Sequence, residues 1–304
     1  MQAANSGRMG VLAPPTLADT TPRHYESLHN VVAFGPGFYS GAQPENNAAF
    51  AELRALGIRT IISVDGAIPD IETARSYGLK YVHLPIGYTG FDARRSLELT
   101  RATRDAAAIG PVYIHCHHGK HRSAGAAAAV AVSLGWMHNT QAVDRMKVSG
   151  TAPAYKGLYA CAANAAPVSA ADLDSIPFNF PEISRPGNVV AAMVDAEHAM
   201  DHLRLIEKSD WRIPNDHPDL VPAAEAGRLA DLMRTQAQAA SQRGKSEPYI
   251  KGLRASMDAA SALEQLLASK QRPSRTELSA SLKVLADSCS DCHVAHRDDT
   301  RSSW

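Results

Sequence analysis

Between residues 31 and 134, short apolar runs rich in β-branched side chains alternate with stretches whose apolar positions recur every three or four residues. Residues 31–39 predict a hairpin-like pair of short strands around Gly35-Pro36-Gly37, and residues 44–56 predict a helix closed by Gly57. Ile58-Arg-Thr-Ile-Ile-Ser-Val64 has the length and branching of a strand, Asp65-Gly66 reads as a turn, residues 68–77 as a helix, and residues 80–85 as another strand. A helix over 93–108 leads through Gly110-Pro111 into an apolar strand at 112–115, a loop, and an Ala-rich helix starting near Ser123. Strands alternating with helices in this way predict an α/β domain with a central, mainly parallel sheet and flanking helices.

The pattern changes in the second half. Pro167, Pro177, Pro181 and Pro186, with Pro153 nearby, interrupt every helical register and mark a linker. Beyond it no strand signal recurs. Segments near 188–208, 222–242, 247–270 and 276–296 carry apolar residues at helical spacing between Pro- or Gly-containing turns, which predicts an all-α, antiparallel four-helix bundle. The expected organisation is a leader or surface arm over 1–24, an α/β domain over 25–165, a Pro-rich linker over 166–187 and a helical domain over 188–304.

Composition narrows the function classes. The chain has 304 residues, 45% of them hydrophobic, with 31 basic and 31 acidic side chains. The balanced charge removes the electrostatic argument for a general nucleic-acid binder or a binder of anionic membranes, so any polyanion must be held by a local site. The longest apolar run, residues 124–134, is about half the ~20 residues a membrane span needs. Four cysteines, Cys116, Cys161, Cys289 and Cys292, are too few for a disulfide scaffold. Residues 1–15 lack an apolar core and do not form an intact secretion signal as they stand.

The sharpest motif is His115-Cys116-His117-His118-Gly119-Lys120-His121-Arg122-Ser123, set between the apolar strand and the Ala-rich helix. Five residues between Cys116 and Arg122 suffice to curl the backbone into a nest whose N–H groups converge on a tetrahedral oxyanion, and the following helix adds its positive end. His117, His118, Gly119, Lys120, His121 and Arg122 are the expected phosphate-binding residues. The same field favours a thiolate at Cys116, a nucleophile. Arg122 can grip two phosphate oxygens and stabilise the transferring group, while Ser123 can donate to the sulfur when water hydrolyses a thiophosphate intermediate. His117, His118 and His121 read as rim residues. Their abundance beside a cysteine also admits a metal site, although a metal needs neither the Arg nor the helix start.

Residues 31–165 resemble the cysteine-dependent, dual-specificity-type protein tyrosine phosphatases, whose signature is HCxxGxxRS/T. Tyr39-Ser-Gly-Ala-Gln-Pro44 and Leu56-Gly-Ile-Arg-Thr-Ile-Ile-Ser-Val64 resemble the atypical branch of that family. The Gly-Lys-His-Arg-Ser core is similar to fungal and plant phosphatases acting on inositol pyrophosphates, and a lysine at the position of Lys120 also occurs in phosphoinositide phosphatases. The resemblance implies hydrolysis of phosphate monoesters, of the phosphotyrosine or inositol phosphate type, through a cysteinyl-phosphate intermediate. It also implies an Asp on the loop after the strand at 80–85, to protonate the leaving oxygen. Asp92 is the first candidate for that role and Asp65 the second.

Cys289-Ser-Asp-Cys292-His293 is C-x-x-C-H, the attachment pattern of c-type haem, with two thiols for the vinyl groups and a His for the iron. A zinc half-site and a redox CxxC pair are the competing readings, but no second CxxC and no thioredoxin-like strand–helix–strand context accompany it. Placed near the end of the last helix and followed by Arg297, it resembles class II c-type cytochromes, the cytochrome c prime group. That resemblance covers residues 188–304 and implies a haem c iron ligated by His293, with the first helix facing its other side. Met193 is the preferred sixth ligand, with a plain core methionine equally open, His198 the alternative and His202 a polar-face residue. Cys161 reads as core packing, with a reversible disulfide to Cys116 as the lesser alternative.

Covalent haem attachment of this kind takes place outside the cytoplasm, so the resemblance implies an exported, periplasmic protein. Its expected partners are a phosphorylated small molecule or phosphoprotein and a redox partner, with no nucleic acid and no membrane span, in a monomer or dimer. The competing class is a haem electron-transfer or sensor protein whose first domain only binds a phosphorylated partner.

Overall fold

The computed structural model describes residues 12–184, 189–217, 220–269, 271 and 273–296. Arg297, the expected arginine after the C-x-x-C-H motif, lies outside the described residues, as do the first eleven residues of the arm and residues 185–187 of the expected linker. Two compact units are present, the first within residues 12–184 except 66–68, the second comprising 66–68 and the described residues from 189 onward.

In the first unit, strands β1 (Val32–Gly35), β2 (Phe38–Ala42), β3 (Thr60–Ser63), β4 (Lys80–His83) and β5 (Val112–Cys116) form one sheet in the order β1-β2-β5-β3-β4. β1 pairs antiparallel with β2, and the remaining pairs are parallel, so the sheet is mixed. The central β5 is buried along its whole length, which matches its apolar sequence. Between the strands lie α1 (Asn47–Ala55), α2 (Ile71–Ser76) and α3 (Ala93–Ala107). Each starts at a side-chain cap, Asn46, Asp70 and Asp92, which fixes the helix start more sharply than hydrophobic period does.

Helix α4 (Arg122–Ser133) is buried at every position and packs against β5, α5 (Asn139–Val148) and α6 (Lys156–Ala163). Its alanines suit a helix covered on all sides, because small side chains let neighbours approach from every direction. The expected linker is corrected in its first part. Residues 166–184 are docked on the first unit and include a short helix, α7 (Ala170–Asp174), whose Leu173 is buried. Arg101 Nη1 donates to Leu173 O at 2.7 Å, Arg104 pairs with Asp174 at 2.7 Å, and Pro181 O accepts from His83 N at 2.8 Å. Proline blocks helix but not docking by carbonyls, which is why composition alone suggested a free linker. The described part of the arm is likewise fastened, since buried Arg145 donates to the carbonyls of Leu17 and Asp19.

The second unit consists of α8 (Val189–Lys208), α9 (Pro222–Gln242), α10 (Glu247–Ala268) and α11 (Arg275–His296), and no strand occurs among its described residues. α9 packs on α8 and α10, and α10 on α11. Their apolar faces, including Leu203, Leu229, Leu253, Leu263 and Leu282, form one core. Among the described residues no helix is long and apolar enough to cross a membrane.

Candidate functional site

The site of the first unit is the turn between β5 and α4. Cys116 closes β5 with 4% of its surface exposed, and its Sγ lies 3.4 Å from Ser123 Oγ in the first turn of α4. The turn between them is shaped from behind. Gln43 N donates to His117 O at 3.0 Å, Asn30 Nδ2 to Gly119 O at 2.9 Å, and Thr151 Oγ1 to Lys120 O. With these carbonyls drawn outward, the N–H groups of Gly119, Lys120 and His121 donate to no protein acceptor among the described residues, which is the condition for an anion nest.

Gly119 is required twice over. Its φ is +71°, and a Cβ there would stand 2.2 Å from Gly41 C. Asn30 itself adopts φ 57°, a conformation Asn tolerates better than most residues, and it holds a second carbonyl, Ser149 O, at 2.9 Å.

Arg122 is 2% exposed, and its Nη2 donates to Asp65 Oδ2 at 3.1 Å and to the Tyr88 hydroxyl at 3.0 Å. The Tyr88 ring lies over the guanidinium, 4.3 Å from centroid to Cζ, a cation–π arrangement. The two expected aspartates therefore differ. Asp65 belongs to the cluster as the buried ion-pair partner of Arg122. Asp92 does not: it is exposed, and its carboxylate caps α3 by accepting Arg95 N–H at 2.7 Å. A short acidic side chain preceding a helix satisfies an otherwise orphaned donor, and this explains its presence on that loop.

The histidines also separate. His117 and His118 are half-buried with ring centroids 4.2 Å apart, and Lys120 is exposed at the mouth. His121, expected on the rim, is instead buried and stacked on Tyr155 at 4.1 Å. Burial first, then the nearby charges of Lys120, His118 and Arg122, push its pKa down to about 3, so it is neutral at physiological pH. Behind the sulfur, His115 Nε2 meets the Tyr81 hydroxyl at 2.9 Å, and burial pushes that phenol well up, keeping its proton in place.

Tyr88, Tyr155 and Asn30 escape sequence reading because no local spacing connects them to residues 116–123. Cys161 packs on the loop that carries Tyr88: Phe91 N donates to its Sγ at 3.4 Å, and burial pushes the thiol up. All four cysteines are free thiols.

In the second unit, Cys289 and Cys292 lie three residues apart on α11, hence on neighbouring positions of one helical face. Together with His293 they line a cavity of about 710 Å³ that also takes in Met193, Met200, Met233, Tyr249 and Leu253. Its volume falls within the roughly 300–1,000 Å³ of small-molecule and cofactor sites. α10 approaches closely through Gly252, where a Cβ would stand 2.9 Å from Cys292 Sγ. Met193 is partly buried against the core and opens on the cavity, whereas exposed His198 is not part of its lining. His202 Nδ1 lies 2.8 Å from buried Glu225 and is committed there. Among the described residues no three His, Cys, Asp or Glu side chains converge to hold a metal ion by themselves.

No family model and no curated protein matches this chain. Similar solved structures include TpbA of P. aeruginosa, 22% identical over 49% of this chain and 100% of that one, with a TM-score of 0.37. The core catalytic domain of the PP-IP phosphatase SIW14 from S. cerevisiae is 18% identical over 54% of this chain and 86% of its own, with a TM-score of 0.34. Human DUSP28 is 19% identical over 46% and 93%, with a TM-score of 0.36.

Proposed function

We propose that the first unit hydrolyses phosphate monoesters through a cysteinyl-phosphate intermediate and that the second unit carries a covalently attached haem c. One observation carries the first part: Cys116 Sγ lies 3.4 Å from Ser123 Oγ across a turn whose Gly119, Lys120 and His121 N–H groups donate to no protein acceptor among the described residues. The thiolate attacks phosphorus, the S–P bond forms and the ester P–O bond breaks, with Arg122 and the turn amides stabilising the charge on the equatorial oxygens. Water then attacks phosphorus, the S–P bond breaks, and Ser123 donates to the departing sulfur. Exposed Lys120 favours substrates with further negative charge, whether a phosphorylated small molecule or a phosphoprotein.

Turnover of p-nitrophenyl phosphate that disappears in Cys116→Ser is the expected result. Binding of inorganic phosphate without turnover in the unaltered protein refutes catalysis and leaves the phosphate-binding haem sensor.

For the second unit the support is the donor set and the space. Two thiols on one helical face, an imidazole next in sequence and a thioether from α8 share one cavity with mostly apolar walls. Cys289 and Cys292 would hold the haem and His293 its iron, with Met193 the candidate second ligand to that iron. When bound, the haem would supply a redox couple and an iron for which a diatomic gas competes with Met193. A Soret band retained through acid-acetone extraction after periplasmic maturation is expected, and its absence overturns the reading. Met193→Ala converts a six-coordinate low-spin spectrum to a five-coordinate one, and an unchanged spectrum dismisses Met193. The protein is then an exported phosphatase modulated by haem redox state or gas binding. Equal phosphatase rates in oxidised and reduced protein, with and without nitric oxide, refute that coupling.

A further inference from the structure

Breaking the ester P–O bond leaves an alkoxide or phenoxide that needs a proton, and neither aspartate near the site is placed to give one. Asp92 is exposed and turned onto Arg95 N–H. Asp65 is held as a buried carboxylate against Arg122 Nη2. The loop after β4 instead brings Tyr88 to the guanidinium. Its hydroxyl is 3.0 Å from the same Nη2, and its ring covers Cζ at 4.3 Å.

This placement is enforced from outside the loop. Gly157 of α6 lies so close that a Cβ would stand 1.8 Å from Thr89 O, and Cys161, one turn on, engages both Phe91 N and Phe91 O. Tyr155 flanks the ring at 5.8 Å between centroids. The phenol therefore stands beside the guanidinium that, in the phosphatase reading, faces the phosphoryl group. A hydroxyl that accepts from a guanidinium still has its own proton to donate.

Resting on the phosphatase reading above, we propose that Tyr88 is the catalytic residue that protonates the leaving oxygen. In the first step the S–P bond forms, the P–O bond breaks with its electron pair on the leaving oxygen, and that oxygen takes the Tyr88 proton. The phenolate left behind is stabilised by Arg122, 3.0 Å away. In the second step water gives its proton to the phenolate as its oxygen attacks phosphorus and the S–P electron pair returns to Cys116. Tyr88 and Cys116 are restored, and inorganic phosphate leaves.

The role is read from leaving groups of different basicity, using the full chain. p-Nitrophenolate leaves without a proton, whereas phenolate and alkoxides need one. In Tyr88→Phe, kcat/KM for phenyl phosphate falls roughly 10²-fold or more further than kcat/KM for p-nitrophenyl phosphate. A purely structural role lowers both substrates by the same factor, and that result overturns the proposal. So does Asp92→Asn or Asp65→Asn reproducing the selective loss while Tyr88→Phe lacks it. The p-nitrophenyl phosphate arm keeps the two readings apart: loss of Cys116-dependent turnover in the unaltered protein refutes the phosphatase, whereas intact turnover with an unchanged substrate ratio refutes Tyr88 alone.

Discussion

Asn30 offers the most quantitative test of how the phosphate turn is shaped. Its buried side chain donates to Gly119 O and Ser149 O, both at 2.9 Å, while its backbone stands at φ 57°. Asn30→Gly removes both hydrogen bonds but keeps the backbone relaxed. Two neutral bonds contribute about 0.5–1.5 kcal/mol each. Extra freedom of glycine in the unfolded chain adds about 0.5–1 kcal/mol, so the expected loss is about 1.5–4 kcal/mol. Asn30→Ala loses the same bonds, about 1–3 kcal/mol in all, and because asparagine already carries a Cβ at this φ it adds at most about 1 kcal/mol of backbone strain. Asn30→Asp places a carboxylate against two carbonyls and is the most damaging of the three.

The functional consequence is separate from stability. With Gly119 O released, the peptide can rotate its carbonyl toward the anion position, and kcat/KM falls roughly 10²-fold, the scale of an ångström-sized misplacement. Urea unfolding by linear extrapolation measures the first quantity and p-nitrophenyl phosphate kinetics the second. Unfolding of Asn30→Gly within about 0.5 kcal/mol of the parent refutes the bond accounting. Stability lost with kcat/KM unchanged refutes the claim that Asn30 shapes the anion nest.

Three further outcomes are expected. Gly157→Ala forces Thr89 O aside from a contact that would be 1.8 Å, costing about 1–3 kcal/mol or more in overpacking; thermal melting and phosphatase rates fall together, and a variant with native melting and rate refutes the tight seat of the Tyr88 loop. Acidification destabilises the first unit through His121: the native ring stays neutral down to about pH 3, whereas the unfolded ring charges below its ordinary value of about 6.5. Stability from this group is thus complete above that value and is lost as pH falls toward 3, with a limiting slope of about 1.4 kcal/mol per pH unit, so urea unfolding of His121→Gln between pH 7 and 4 depends less on pH than the parent. Gly252→Ala, whose Cβ would stand 2.9 Å from Cys292 Sγ, pushes α11 from α10 and lowers the yield of covalently retained haem after periplasmic maturation; an unchanged yield shows that the close approach is dispensable.

The outline of both units is legible in the sequence because it rests on local terms. Hydrophobic period separated the strands of the first unit from the four long helices of the second. The helix starts were legible less well. Period and Pro44 put the first helix at residue 44, but the Asn46 side chain captures Ala49 N–H and sets the start at Asn47. The sheet is mainly parallel as expected, with its one antiparallel pair at the edge, where the Gly35-Pro36-Gly37 turn sends β2 back along β1.

The candidate sites divide along the same line. Cys116 and Ser123 meet in one turn because they stand close in sequence, and spacing alone constrains them. Cys289, Cys292 and His293 share one helical face and one cavity for the same reason. What surrounds them was decided by tertiary structure: Tyr88 reaches Arg122 across 34 residues and Asn30 reaches Gly119 across 89. His121 changes from an expected rim residue to a buried, neutral ring because Tyr155 covers it. Asp92, plausible by position in the chain, is drawn into a helix cap by the nearest orphaned N–H. Local spacing determines which groups can bind and attack a phosphate. Which neighbour desolvates, pairs or covers them depends on contacts between distant segments, and those arise only once the sheet and its helices have packed.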